Sequence, residues 1–304
     1  MNIEPTSAWP PPAPPPPRNS PVRVLGVLAL VVAIVAAVAL PGLGVISFGE
    51  TVITGQARPT GSGVNSQREP GKPGPVLETA ENPLLAEGVE LPQTNCQLPS
   101  LRRSEEQLQA YYEAAMRCLD AAWQPALESV GEPFSTPVLQ IKDETESSCG
   151  GLPPKEEATA FYCPADKAIH MPRKRLLETV GTVQAAHLAV LAHEYGHHVQ
   201  QLSGIMEAAF DEMTAHGEDT PGEQQVTRRM ELQANCFAGL FLASTSGRGS
   251  VSKALAQQGV KEFENSIGSD SHGTVPNQVK WAKAGFQKAT SACNTFTAAE
   301  GEVR

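Results

Sequence analysis

No two cysteines are spaced C-x-x-C, which excludes a zinc ribbon or a thioredoxin-like redox site built on that motif. There is no long run of Lys or Arg, and 23 basic residues are outnumbered by 33 acidic ones, for a net charge of -10. A nucleic-acid-binding surface needs clustered cations to displace counterions, so nucleic acid is not an expected partner. Aromatics are scarce at 5%, and no segment repeats. Proline and glycine are plentiful, at 26 each. Helices and strands use both sparingly, so part of the 304 residues must be linker. The 40% apolar content still supports an ordinary core, and the length fits one to two domains.

Eight of the first 17 residues are proline, so residues 1–23 read as a Pro-rich tail of polyproline II character. Residues 24–40 carry neither a charge nor a hydrogen-bonding side chain, and the uncharged stretch continues to Gly49. A helix of that length spans about 26 Å, and a few more residues reach the roughly 30 Å of a bilayer core. Residues 24–48 are therefore expected to form a transmembrane helix. Arg18 and Arg23 precede it and Glu50 is the first charge after it. The positive-inside rule then keeps the tail cytoplasmic and exports the rest. Small residues at 36–39 also fit a cleaved signal peptide, which would leave the protein secreted. Gly and Pro recur up to residue 91, so 49–95 read as a flexible linker and 96–304 as the folded domain. All six cysteines lie in that domain. An oxidising compartment favours disulfides, but six cysteines allow 15 pairings, and sequence alone does not choose among them.

Ser104 with Gln107 forms a capping box ahead of Leu108, Tyr111, Tyr112, Ala115, Met116 and Leu119 at helical spacing. This helix is expected to end near Pro125. Residues 137–142 read as extended, and 159–163 with 168–171 as a hairpin. The second strand of that hairpin serves either as a sheet edge that holds a peptide by strand addition or as an ordinary core strand. From residue 182 the pattern is helical, at 184–202, 206–216, 224–244, 252–267 and 277–292. A small sheet followed by a run of helices is an α+β arrangement.

The strongest chemical signal is His193-Glu194-Tyr195-Gly196-His197, an H-E-x-x-H. Residues i and i+4 lie about 40° apart on a helix, so both imidazoles can converge on one Zn2+. Glu194 lies about 100° around the helix. It is better placed to take a proton from water than to ligate, which makes it the candidate general base. Leu188, Ala189, Leu191 and Ala192 run straight into the motif, so this helix is expected to be central. A hydrolytic zinc site wants a third protein ligand. Ser203 stands where an H-E-x-x-H-x-x-G-x-x-H pattern needs another histidine. Glu231 is the better candidate. It lies on a predicted helix made apolar by Ala234, Phe237, Ala238, Leu240 and Phe241, where an acid asks for a partner. Asn235, four positions on, shares its face and can accept the free ring N–H of His193 or His197. His272, in a Ser-His-Gly-Thr turn, either donates to a developing oxyanion or caps the following helix. His198 is turned away from both candidate ligands, and Tyr195 points to the opposite side, into the core.

FYCPAD (161–166), AHEYGHHVQ (192–200), RRMELQANCFAG (228–239), SHGT (271–274) and CNTF (293–296) together resemble the bacterial putative neutral zinc metallopeptidase family, gluzincin-like, over about half the chain. The resemblance implies a zincin-like domain with His193, His197 and Glu231 as zinc ligands and Glu194 as general base, acting on a peptide or protein substrate. Three positions depart from the family's habit: Asn235 for Asp, His170 for Tyr, and Asn277-Gln278 for Gln-Arg. Following the order of elements, the expected disulfides are Cys96–Cys118, Cys149–Cys163 and Cys236–Cys293. The expectation as a whole is a membrane-anchored, extracytoplasmic zinc metalloendopeptidase. The alternative is a non-catalytic anchored zinc-binding module whose tail recruits partners, a role in which a base at position 194 has no use.

Overall fold

The computed structural model describes residues 74–304 apart from positions 145, 156 and 288. The expected tail at 1–23 and transmembrane helix at 24–48 lie outside the described residues. Among the described residues no helix is long and apolar enough to cross a membrane. The elements run α1 (Glu105–Ser129), β1 (Val138–Gln140), β2 (Phe161–Cys163), β3 (Ala168–His170), α2 (Arg173–Thr179), α3 (Gln184–Leu202), α4 (Ile205–His216), α5 (Pro221–Thr245), α6 (Lys253–Lys261) and α7 (Val275–Gln287). Short 3₁₀ turns stand at Pro83–Leu85, Glu262–Asn265, Thr290–Cys293 and Glu300–Glu302. The architecture is α+β, mostly helical with one small sheet.

The Ser104 side chain caps α1 by accepting from the Gln107 N–H at 3.4 Å, and Glu105 and Glu106 complement the helix dipole in the first turn. The helix does not stop near Pro125 but continues to Ser129. Proline removes one backbone hydrogen bond there. Trp123, Ala126 and Leu127 are buried on both sides of it, and their packing outweighs the lost bond.

The sheet has the order β1-β3-β2, with β1 parallel and β2 antiparallel to β3. The strand at 168–170 is therefore central, which excludes the sheet-edge reading for it. Every residue of β2 and β3 is buried. His170 on β3 lies flat against Phe161, with ring centroids 4.4 Å apart, and neither ring nitrogen has a hydrogen-bond partner.

Part of the expected linker is folded. Leu84, Leu85 and Val89 are buried. The Asn82 amide donates to the carbonyls of Val76 and Glu78, both at 3.2 Å, and of Ser203 at 2.8 Å. Residues 74–95 thus pack on the domain, tied to the C-terminal end of α3. Recurrent Pro and Gly signal irregular backbone there, while the apolar residues between them still find a core.

Helix α3 is buried on nearly all sides. Helix α5 packs along it and is backed by α7. The α5–α7 contact is backbone to backbone: a Cβ added at Gly285 would sit 1.9 Å from the Cys236 carbonyl oxygen, and one at Gly239 would sit 2.1 Å from that of Ala282. Disulfides join Cys96–Cys118, Cys149–Cys163 and Cys236–Cys293. The last spans 57 positions and, on loop entropy, contributes about 4 kcal/mol.

Two predictions come from this packing. Gly285→Ala should lower unfolding stability by about 1–3 kcal/mol or more. Gly151→Ala, where a Cβ meets nothing within 4 Å, should stay within about 0.5 kcal/mol. Urea unfolding of the two variants measures the difference. Burial also pushes the His170 imidazole down to about 4, against the pull of Asp166. The unfolded chain, with an ordinary imidazole near 6.5, binds more protons across that window, so stability should fall as pH drops from about 6.5 to 4. Unfolding curves of His170→Phe over the same range should show a shallower fall, and an unchanged slope would remove His170 as its source.

Candidate metal centre

Helices α3 and α5 touch at Gly196. A Cβ there would lie 3.1 Å from both the Cα and the carbonyl oxygen of Ala234. This close approach brings side chains one turn to either side of the contact within reach of each other. His193 and His197, one helical turn apart on α3, face Glu231 on α5. The His193 and His197 Nε2 atoms are 3.2 Å apart, and each lies 3.3 Å from Glu231 Oε2. Among the described residues this is the group whose donor atoms cluster as a metal site.

The triangle can be tested against zinc. Ligand atoms at about 2.0–2.1 Å in tetrahedral geometry stand about 3.3 Å from one another. The three observed edges match one face of that tetrahedron. The groups behind each ring agree as well. His193 Nδ1 lies 2.8 Å from Asn235 Oδ1, and His197 Nδ1 lies 2.9 Å from Gln200 Oε1. With both Nδ1 protons donated, two Nε2 lone pairs and a carboxylate oxygen face one another. Such a trio repels itself unless a cation sits among its members. The residues fit zinc.

Glu194 is fully buried, and no side chain hydrogen-bonds to either carboxylate oxygen. Burial pushes its carboxyl well above the ordinary range, the Glu231 charge pushes the same way, and the backbone N–H of Tyr162 pulls against both. Burial raises Glu231 too, but without a metal, protons on the facing rings of His197, His272 and His193 outweigh it and hold that carboxyl well below its usual value. Two carboxyls in one site are thereby driven apart, one suited to carry a proton and the other to stay ionised.

The loop before α7 brings in His272, which is 5% exposed. Its Nδ1 lies 2.8 Å from Ser271 Oγ and 3.1 Å from Ser269 Oγ, and its Nε2 lies 3.6 Å from Glu231 Oε2. Gln278 steadies this loop by donating to the carbonyls of Ile267 and Gly273. Other histidines are spent elsewhere. His198 meets the Tyr162 hydroxyl at 2.9 Å and the Ser135 carbonyl at 2.7 Å, while His170 sits in the sheet. Tyr195 donates to Asp120 at 2.6 Å. Sequence reasoning missed Gln200. The available signal was a polar residue three positions after His197, and so on the same side of the helix.

Removing the acceptor of His193 by Asn235→Ala should weaken zinc binding by about 10–100-fold. Asn235→Asp, which adds negative charge behind the ring, should strengthen it. Competition with a calibrated chelator reads both, and equal affinity for Asn, Asp and Ala at 235 would remove this residue from the site.

The chain matches the family model described as putative neutral zinc metallopeptidase over residues 86–296. It is 27% identical over 223 residues to the uncharacterized protein YpfJ of Escherichia coli (strain K12), covering 65% of this chain and 74% of that protein. It is 29% identical over 212 residues to the uncharacterized protein Rv2575 of Mycobacterium tuberculosis (strain ATCC 25618 / H37Rv), covering 60% of this chain and 68% of that protein. No solved structure matches it. With a match extending over more than half of its length, the chain belongs to the putative neutral zinc metallopeptidase family.

Proposed function

We propose that the protein is a zinc metalloendopeptidase of zincin-like design, held to a membrane and acting outside the cytoplasm. The observation that carries the catalytic part is Glu194: a buried carboxyl that no side chain hydrogen-bonds, beside a donor triangle that fits zinc. A structural zinc site has no use for such a group. Zinc held by His193, His197 and Glu231 would supply Lewis acidity, polarising a peptide carbonyl and making water a stronger acid. Glu194 accepts the proton from the attacking water at a carboxylate oxygen, and burial makes it basic enough to keep that proton. It then hands the proton to the leaving amine. His272, its Nδ1 held by two serine hydroxyls, directs Nε2 into the site as the candidate donor to the developing oxyanion. Asn235 keeps His193 in the tautomer that leaves Nε2 free.

The membrane part rests on the uncharged run at 24–48, preceded by Arg18 and Arg23, and on three disulfides, which persist in oxidising compartments. In this reading 1–23 is a cytoplasmic tail, 24–48 a single span, 49–73 a linker and 74–304 the peptidase domain. Cleavage after the apolar run would release the same domain. The substrate is a peptide or protein.

One observation favours the alternative of a closed zinc-binding module. Glu194 and His197 are fully buried, and Glu231 and His193 are 1% and 2% exposed. Glu194→Gln separates the two readings. In the full-length zinc-loaded protein it should leave metal content unchanged and reduce casein digestion by about 10²–10⁴-fold, the usual scale for loss of a general base. Near-normal turnover in the variant would end the assigned role of Glu194, and an inert wild type with full zinc would favour the module.

A further inference from the structure

His197 is oriented through a chain of carboxamides that begins far from the metal centre. Its Nδ1 meets Gln200 Oε1 at 2.9 Å. The Gln200 Nε2 lies 2.9 Å from both the Met230 carbonyl and Gln233 Oε1. Gln233 Nε2 in turn lies 3.1 Å from the Cys293 carbonyl. His197, Gln200, Gln233 and Cys293 are all fully buried, so bulk water offers these groups no substitute partner.

A side-chain amide can turn either end toward a neighbour, and the groups around it decide which end donates. Here the network permits one answer. The carbonyls of Cys293 and Met230 can only accept. Gln233 must therefore turn its NH2 toward Cys293, which leaves its oxygen facing Gln200. Gln200 must turn its NH2 toward Met230 and Gln233, which leaves its oxygen facing His197. His197 must then carry its proton on Nδ1, with the Nε2 lone pair directed at His193 and Glu231.

We propose that Gln233 and Gln200 are positioning residues that fix the tautomer of His197, with the direction of the relay set by the backbone carbonyl of Cys293. A carboxylate beside His197 would accept from it without further help. A carboxamide also has a donor end, which must be satisfied in a buried site, so Gln200 depends on acceptors behind it. The Cys236–Cys293 disulfide ties the terminal carbonyl to α5, the helix that carries Gln233 and Glu231. Relay and ligand therefore share one support. For zinc binding, the inference rests on reading His193, His197 and Glu231 as its ligands.

Nuclear magnetic resonance of the full-length, metal-free protein at about pH 8, above the ordinary imidazole range, tests the relay without zinc. A proton should be found on His197 Nδ1, exchanging slowly with solvent. Gln233→Met should abolish or shift that signal while leaving the His193 Nδ1 proton, which bonds Asn235, in place. A general loss of structure would disturb both. Zinc affinities from chelator competition then form a double-mutant cycle. Gln200→Met should weaken binding by about 10–100-fold, and Gln233→Met by about tenfold. The double variant should bind no more weakly than Gln200→Met, because Gln233 acts through Gln200. Additive losses overturn the proposal, as does an unchanged His197 signal in Gln233→Met. A wild-type His197 protonated on Nε2 overturns it with no variant needed. If the wild type fails to bind zinc, the zinc reading falls, and the metal-free spectra still decide the tautomer.

Discussion

Three electron-pair donors meet between two helices, and the rest of the structure serves that meeting. Two imidazole nitrogens and a carboxylate oxygen 3.2–3.3 Å apart repel one another until they share a cation, so they must be held together by what surrounds them. The α3 and α5 backbones come together at Gly196 and Ala234, where even a methyl group on position 196 would crowd the partner helix. Behind α5 stands α7, pressed close at Gly239 and Gly285, and the Cys236–Cys293 bridge joins α5 to the segment that follows α7. Each contact removes a direction in which α5 could retreat.

Charge in the centre is unevenly placed. Both imidazoles are oriented by neutral amides, Asn235 and Gln200, so the negative charge of the ligand set resides on Glu231. Zinc held by such a set would keep more of its positive charge than one backed by carboxylates, trading some affinity for Lewis acidity. Glu194 sits beside this charge with no side chain hydrogen-bonded to it, and burial biases it toward the protonated form. The proposed ligand and the proposed base are the same functional group. Their environments differ because imidazoles face Glu231, whereas burial dominates at Glu194.

Much of this was legible in the residues. Helical spacing placed α3 with the boundaries it has, because an apolar stripe of that length bounded by polar turns leaves little choice. The i, i+4 spacing of His193 and His197 put both rings on one side. The apolar surroundings of Glu231 marked it among 27 glutamates, since a carboxylate in such a helix must find a partner. Local signals misled where packing overrode them. Pro125 reads as a stop but is carried through by the buried residues around it, and the Pro- and Gly-rich stretch before Cys96 reads as linker although Leu84 and Leu85 are buried. The strand at 168–170 gave no sign of its central position, because strand order depends on which segment pairs across it.

What the sequence determined by itself is the chemistry within one helix: two imidazoles one turn apart and a carboxyl one residue on, consequences of 3.6 residues per turn. It also determined that α5 would carry a buried acid with an amide one turn later. Only the tertiary structure decided what meets across helices. The 3.3 Å reach of Glu231 to both rings, the approach of His272 from a distant loop, and the chain from His197 through Gln200 and Gln233 to the Cys293 carbonyl join residues up to 96 positions apart. No local pattern encodes those distances. They arise where two helix backbones can touch, and that is set by the small residues packed between them.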